Sequence, residues 1–140
     1  KHLNDLLNTN DLVKVLILSK PHNVFEELQL KFPNRITEMF VEASEVFCWL
    51  SAGDYGLLIR DKSVTNSCAS PTKYAEYLLA GLRVISNKTT GAGEGVGLIP
   101  ANSMSRSTTA ERKANSNKAI HRFAKNNFKK EYEAIMQQEL

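Results

Sequence analysis

Ser70-Pro71-Thr72-Lys73-Tyr74-Ala75-Glu76-Tyr77-Leu78-Leu79-Ala80-Gly81-Leu82-Arg83-Val84-Ile85-Ser86 reads as a helix that stops and gives way at once to a strand. Ser before Pro is a helix-start signal: the hydroxyl caps a free N–H, and Pro takes the first helical position, where its missing N–H costs nothing. Gly81 is the stop, since a helix end turned into the left-handed region favours glycine. The spacing therefore predicts a helix over Pro71 to Ala80 and a strand over Arg83 to Ser86. Tyr74, Tyr77 and Leu78 share one helix face, while Lys73, Glu76 and Ala80 share another. Upstream, Asp54-Tyr55-Gly56-Leu57-Leu58-Ile59 is a second strand, joined to the helix by a polar loop from Arg60 to Ala69.

The same alternation extends towards the start of the chain. Val13-Lys14-Val15-Leu16-Ile17-Leu18 has the apolar, β-branched character of a strand covered on both faces. Val24, Phe25, Leu28 and Phe32 follow at helical spacing, and Pro33-Asn34 ends that run. Ile36 to Val41 is a short strand, and Ser44 to Leu50 a short helix capped by Ser44, turning Val46, Phe47 and Leu50 inward before Ser51-Ala52-Gly53 closes it. Beyond the strands, Ala101 to Ser116 reads as a polar connection. Ile120, Phe123, Ala124 and Phe128, then Tyr132, Ile135, Met136 and Leu140, predict one kinked helix or two, broken near Asn126-Asn127. Strand and helix in turn predict an α/β domain with a mainly parallel sheet flanked by helices. Ligands in such domains bind at the carboxyl ends of the strands, here the loops after Leu18, Val41, Ile59 and Ser86.

Composition removes several alternatives. The 140 residues (15.7 kDa) fit one domain, and 42% hydrophobic with 24% charged residues excludes a disordered or fibrous chain. Eighteen Lys+Arg against 15 Asp+Glu leave +3, too little for a nucleic-acid binder and weakly favourable to an anionic ligand. The longest apolar runs, Val15 to Leu18 and Leu57 to Ile59, fall far short of the ~20 residues of a membrane span. Cys48, Cys68, His2, His22 and His121 form no metal-ligand spacing, so no metal is expected, and the two thiols are expected reduced in a cytoplasmic protein. The opening Lys1-His2-Leu3-Asn4 has neither an initiator Met nor a signal-peptide layout, which suggests a piece of something longer.

The junction from Asn66 to Lys73 is where an α/β ligand site is expected, and a helix start there attracts phosphate through its free N–H groups and dipole. The plainer reading, a solvated surface pair between Lys73 and Glu76, is favoured on spacing alone. Asp54 to Arg60 and Ser70 to Ile85, however, closely resemble the donor-binding domain of retaining glycosyltransferases of GT-B fold, group 1 type, in its Ser-Pro-x-Lys-x-x-Glu-Tyr-Leu form. Asn127-Phe128-Lys129, with Tyr132 and Ile135, resembles the final helix of that domain, so the resemblance covers most of residues 13 to 140.

This resemblance implies a Rossmann-like fold, the C-terminal half of a GT-B enzyme. Residues 1–140 would be the donor domain without its N-terminal acceptor domain, and helices in 117–140 would pack on it. It implies that Glu76 binds the ribose hydroxyls and that Ser70, Pro71 and Thr72 lie near the diphosphate. Lys73 would hold the local fold or the phosphates, and the strand end at Val41 would meet the nucleobase. Asn66, Ser67 and Cys68 are candidate contacts to donor sugar or phosphate. Cys68 stands where many members carry the first glutamate of a Glu-x7-Glu pair, and Arg83 stands where a proline is usual. No catalytic residue is assigned.

The implied activity is sugar transfer from a nucleoside-diphosphate sugar, itself a substrate, to a glycan or lipid-linked acceptor in polysaccharide or cell-envelope synthesis. No cofactor, metal or nucleic acid is expected. A non-catalytic sugar-nucleotide-binding module and a sugar-nucleotide epimerase are the alternatives on the same fold. The glycine-rich tract Gly91 to Gly97 leads into Leu98-Ile99-Pro100 instead of opening a βαβ unit, so it is read as a loop and short strand and not as a dinucleotide fingerprint. The basic residues Lys118, His121, Arg122, Lys125, Lys129 and Lys130 are read first as a solvated helix face. Peripheral attraction to the inner face of an anionic membrane is the weaker reading.

Overall fold

The computed structural model describes residues 2–68, 72–87, 103–124 and 126. Its elements run α1 (His2–Thr9), β1 (Val15–Leu18), a 3-10 turn (Asn23–Phe25), α2 (Glu26–Lys31), β2 (Ile36–Met39), α3 (Val46–Ser51), β3 (Tyr55–Leu58), α4 (Val64–Cys68), α5 (Thr72–Leu79), β4 (Arg83–Ser86) and α6 (Thr109–Phe123). The class is α/β, as expected. Its strands form two parallel pairs, β1 with β2 and β3 with β4, and no ladder joins the pairs among the described residues. The expected strand at 98–100, the glycine-rich tract and the helix over 127–140 lie outside those residues.

In the first pair Val15 lies opposite Ile36 and Leu18 opposite Met39. Arg35, just before β2, fixes α1 and the approach to β1. Its guanidinium donates to the carbonyls of Val13 (3.0 Å), Leu7 (2.9 Å) and Asn10 (2.5 Å) and pairs with Asp11. Leu7 is fully buried. Asn34 turns the chain into β2 at φ 63°, a left-handed conformation that asparagine tolerates. Two expectations are corrected here. Leu16 is 39% exposed, so β1 is not covered on both faces. Ser44 does not cap α3: Glu45 is the cap residue, its carboxylate folds back to the Glu42 N–H, and the turn closed by Glu45 N–H to Glu42 C=O delays the helix to Val46. That delay leaves Phe47 half exposed instead of inward.

The second unit holds the main core. In β3–β4, Gly56 lies opposite Val84 and Leu58 opposite Ser86. Leu58, Tyr74, Leu78, Val84 and Ala119 pack together, with Tyr77 and Phe123 at the margin. The predicted apolar face of α5 is therefore the packed one, although Ala80, expected on the polar face, is also buried. Tyr77 comes so close to β3 that a Cβ on Gly56 would stand 2.4 Å from its ring. At the end of α5, Gly81 has φ 81°; its N–H donates to Leu78 C=O and that of Leu82 to Tyr77 C=O, the paired bonds of a glycine-terminated helix.

Helix replaces expected loop in α4 and in the first half of α6. In α4, the Ser63 hydroxyl accepts from the Asn66 N–H (3.1 Å), a local cap that starts a helix in weak helix formers. In α6, Thr108 and Glu111 form a reciprocal cap: Glu111 N–H donates to Thr108 Oγ1 (3.2 Å) and Thr108 N–H to Glu111 Oε2 (2.7 Å). The polar reading of 101–116 missed the start of α6 because its inner stripe is Arg112, Asn115 and Ala119 before it reaches Phe123, with no large apolar side chain until the end. Asn115 donates to Leu82 C=O (3.2 Å), and Phe123 meets Tyr74 edge-on at 6.3 Å between ring centroids. Ile120 falls off this stripe and is half exposed. The helix ends at Phe123, shortly before the expected break.

Two outcomes follow from this packing. Gly56→Ala should lose about 1–3 kcal/mol by overpacking against Tyr77, and Gly81→Ala about 2 kcal/mol, from left-handed strain and a Cβ 2.9 Å from that of Arg112; urea unfolding measures both. Glu111 has its carboxyl held below the ordinary range by the Thr108 backbone bond first and its side-chain bond second. A depressed carboxyl stabilises the fold above its unfolded pKa and loses that contribution as pH falls through the folded one. Melting temperature should therefore drop more on acidification below the ordinary carboxylate range in the wild type than in Glu111→Gln.

Candidate functional site

The amino and carboxyl edges of the β3–β4 pair are built differently. At the amino edge, Asp54 Oδ1 accepts from Arg112 Nη2 (3.1 Å) and from the Ser107 N–H (2.8 Å), while Arg112 also donates to Ser51 C=O (3.0 Å) and Gly53 C=O (2.7 Å). Arg83, opposite Tyr55 in the ladder, stacks its guanidinium 4.3 Å from the Tyr55 ring centroid and bonds the Ser105 side chain and carbonyl. Arg83 thus fastens Ser105 to the start of the strand pair.

The carboxyl edge carries polar side chains instead. Asn87 follows the last residue of β4, and Arg60 lies two beyond the last of β3. The Arg60 N–H donates to Asn87 Oδ1 (3.3 Å), and Asn87 Nδ2 donates to Arg60 C=O (2.6 Å). The side-chain amide thereby copies one more rung of the ladder after the strands have ended. Arg60 Nη1 lies 3.4 Å from Asn66 Oδ1, and Asn66 is itself tethered through Nδ2 to Asp61 C=O (2.7 Å). Neither Arg60 nor Asn87 was singled out from the sequence. The available signal was position alone: polar residues directly after two parallel strands.

Of the sequence-predicted residues, Asn66, Ser67 and Cys68 lie in α4, on the loop that leads from this edge, and Cys68 is an exposed free thiol. Thr72 opens α5 and is exposed. Ser70 and Pro71 lie outside the described residues. Val41 is half-buried, two residues past the end of β2, and so belongs to the other strand pair. Lys73 and Glu76 are brought together as an ion pair, Nζ to Oε2 2.6 Å, with side chains 50% and 38% exposed. Tyr77, beside them, is a packing residue: burial first, then the Glu76 charge, pushes its phenol above the ordinary range against the opposing pull of Lys73, so it stays a neutral hydroxyl.

The order of that ion pair is informative. A helix favours acids in its first turn and bases in its last, and the better i,i+3 or i,i+4 pair has Glu first. Lys73 sits in the first turn of α5, with Glu76 behind it, against both preferences. That order makes the pair a weaker helix-stabilising contact than its reverse, and an anion held at the same end would offset the repulsion of Lys73 from the helix dipole.

Among the described residues no cluster of three or more His, Cys, Asp or Glu side chains is gathered in the manner of a metal site, and no helix is long and apolar enough to cross a membrane. No family model, curated protein or solved structure matches the chain.

Because the Lys73–Glu76 pair is half exposed, Lys73→Ala should change unfolding free energy by no more than about 0.5 kcal/mol in urea titration. A loss several times larger would make the pair a structural element.

Proposed function

We propose that the chain is the nucleotide-sugar-binding half of a retaining glycosyltransferase of GT-B architecture, a Rossmann-like unit that acts with an acceptor-binding domain. The observation that carries this reading is the pair Lys73 and Glu76, exposed on the first two turns of the crossover helix of a parallel βαβ unit, in an order that an anionic ligand favours and the helix itself does not. The Ser-Pro-x-Lys-x-x-Glu-Tyr-Leu resemblance supports the same assignment.

In the proposed reaction the bond between the anomeric carbon of the donor sugar and the diphosphate oxygen breaks, the oxygen of an acceptor hydroxyl bonds that carbon with retention, and the hydroxyl proton leaves with the diphosphate. The diphosphate leaves with growing negative charge. Lys73 and the N–H groups at the start of α5 would stabilise that charge more strongly as it develops, which is what accelerates such a step. Glu76 would accept from two adjacent ribose hydroxyls, with Lys73 fixing the carboxylate from one side. These residues bind and orient the donor, and the acceptor contacts belong to the partner domain. Synthesis of polysaccharide or another envelope glycan is the process such an enzyme would serve.

A thermal-shift panel of UDP-, GDP- and ADP-sugars should single out one nucleotide series that raises the melting temperature of the 140-residue chain, with no transfer by the chain alone. Glu76→Ala should weaken that donor about tenfold by calorimetry, as expected for a lost hydrogen bond to a charged group, and keep the wild-type circular dichroism. Unchanged affinity in a folded variant would remove Glu76 from the site.

A further inference from the structure

Towards the carboxyl end of the first strand pair, one carboxylate gathers two donors. Glu38, in β2, accepts at Oε1 from the Ser19 hydroxyl (3.3 Å) and from the main-chain N–H of His22 (3.2 Å). The connection from β1 to α2 is thereby held at a fixed point. The His22 ring serves a second purpose: its Nδ1 accepts from the Val24 N–H (3.2 Å) and so caps the 3-10 turn Asn23–Phe25, with the ring edge-on to Phe25 at 6.5 Å between centroids. That turn runs directly into α2, whose own cap residue, Phe25, makes no side-chain cap bond. His22 is exposed, so a proton reaches it from solvent without entering the core.

An imidazole that accepts at Nδ1 is the neutral form with its proton on Nε2, whereas the imidazolium is a donor at both nitrogens and accepts at neither. Protonation therefore sets two N–H groups against each other at Val24 and ends the cap. It also puts a positive charge at the start of a helical turn, where the main-chain N–H groups already carry partial positive charge. The charged side chains of the elements that meet here are Glu38 on β2, Glu26, Glu27 and Lys31 on α2, and Lys20 in the same loop as His22. Lys31 is bonded to Asn4 (2.9 Å), and Lys20 has its ammonium 6.0 Å from the Phe40 ring centroid. Glu38 is the acid already bonded to the His22 main chain, so a rotation of the ring about χ1 carries Nδ1–H from Val24 towards it.

We propose that the loop after β1 is a pH-sensitive switch, in which the neutral His22 ring caps Val24 and the protonated ring leaves that cap to pair with Glu38. Each state keeps one contact and gives up the other, so the loop has two arrangements selected by a single proton. Acidification then loosens the entry into α2 and tightens the Ser19–Glu38–His22 group, at the edge where a parallel strand pair presents its loops. The switch holds whatever the chain binds.

Nuclear magnetic resonance on the isotope-labelled 140-residue chain reads both states. Between about pH 8 and about pH 5, the window in which imidazoles change charge, the Val24 amide should lose protection about fivefold, relative to an unstructured amide at the same pH, in step with the charging of His22. In His22→Asn the side-chain oxygen caps Val24 and does not titrate, so protection should stay level. In Glu38→Gln the cation loses its partner, and the His22 transition should move to lower pH. Val24 protection that stays constant in the wild type while His22 charges overturns the switch, and this measurement needs no substitution. A Val24 transition that persists in His22→Asn belongs to another group and overturns it equally. A His22 transition that Glu38→Gln leaves in place removes Glu38 as the acceptor of the charged ring, and the second state with it.

Discussion

The close approach of Tyr77 to Gly56 determines where α5 rests on the β3–β4 pair, and most of the second unit follows from it. Only a residue without a Cβ leaves room for the ring at that rung of the ladder. With Tyr77 seated there, Tyr74 and Leu78 reach into the core beside Leu58 and Val84, and the small side chain of Ala119 brings α6 against the same helix. The remaining face of α5 is then committed to solvent, and it is the face that presents Lys73 and Glu76. The orientation of the candidate site is therefore a consequence of core packing.

The strand pair divides its labour between its ends. At the amino end, charged side chains are used up in fastening: Asp54 gathers Arg112 and Ser107, Tyr55 carries Arg83, and Arg83 holds Ser105. At the carboxyl end the main chain of Arg60 is held by the Asn87 amide, and its guanidinium meets the side-chain carbonyl of Asn66. A scaffold made rigid at one edge can carry solvent-facing loops at the other, the usual disposition of binding residues in parallel α/β units.

What could be read from the sequence tracks how each element is stabilised. The stop at Gly81 and the strand over Arg83 to Ser86 were legible because a left-handed turn and an apolar run each leave a local signature, and the same holds for the break at Pro33-Asn34. The start of α6 was not, since its packing stripe is an arginine, an asparagine and an alanine, which no count of large apolar residues detects; only the Thr108–Glu111 cap marked it. Leu16 and Phe47 misled for the converse reason, as apolar side chains that the observed packing leaves partly exposed. In the site, the Lys73–Glu76 pair followed from helical spacing, whereas the Arg60–Asn87 rung joins residues far apart in the chain through a side chain imitating backbone, and such imitation has no period.

The tight passage from α5 into β4 has a further consequence. Leu82 N–H is bonded back to Tyr77, and Arg83 N–H is already bonded to Asp54 at the foot of β3, so no residue between helix and strand is spare. Descendants of this sequence can exchange side chains here, but insertions and deletions are barred. One added residue would slide β4 by a rung, set another partner opposite Gly56 and carry Asn87 past Arg60. The distance along the chain from Gly81 to Asn87 is thus a measured length, and the cation at the far end of β3 is held in place by a count of residues begun at the helix stop.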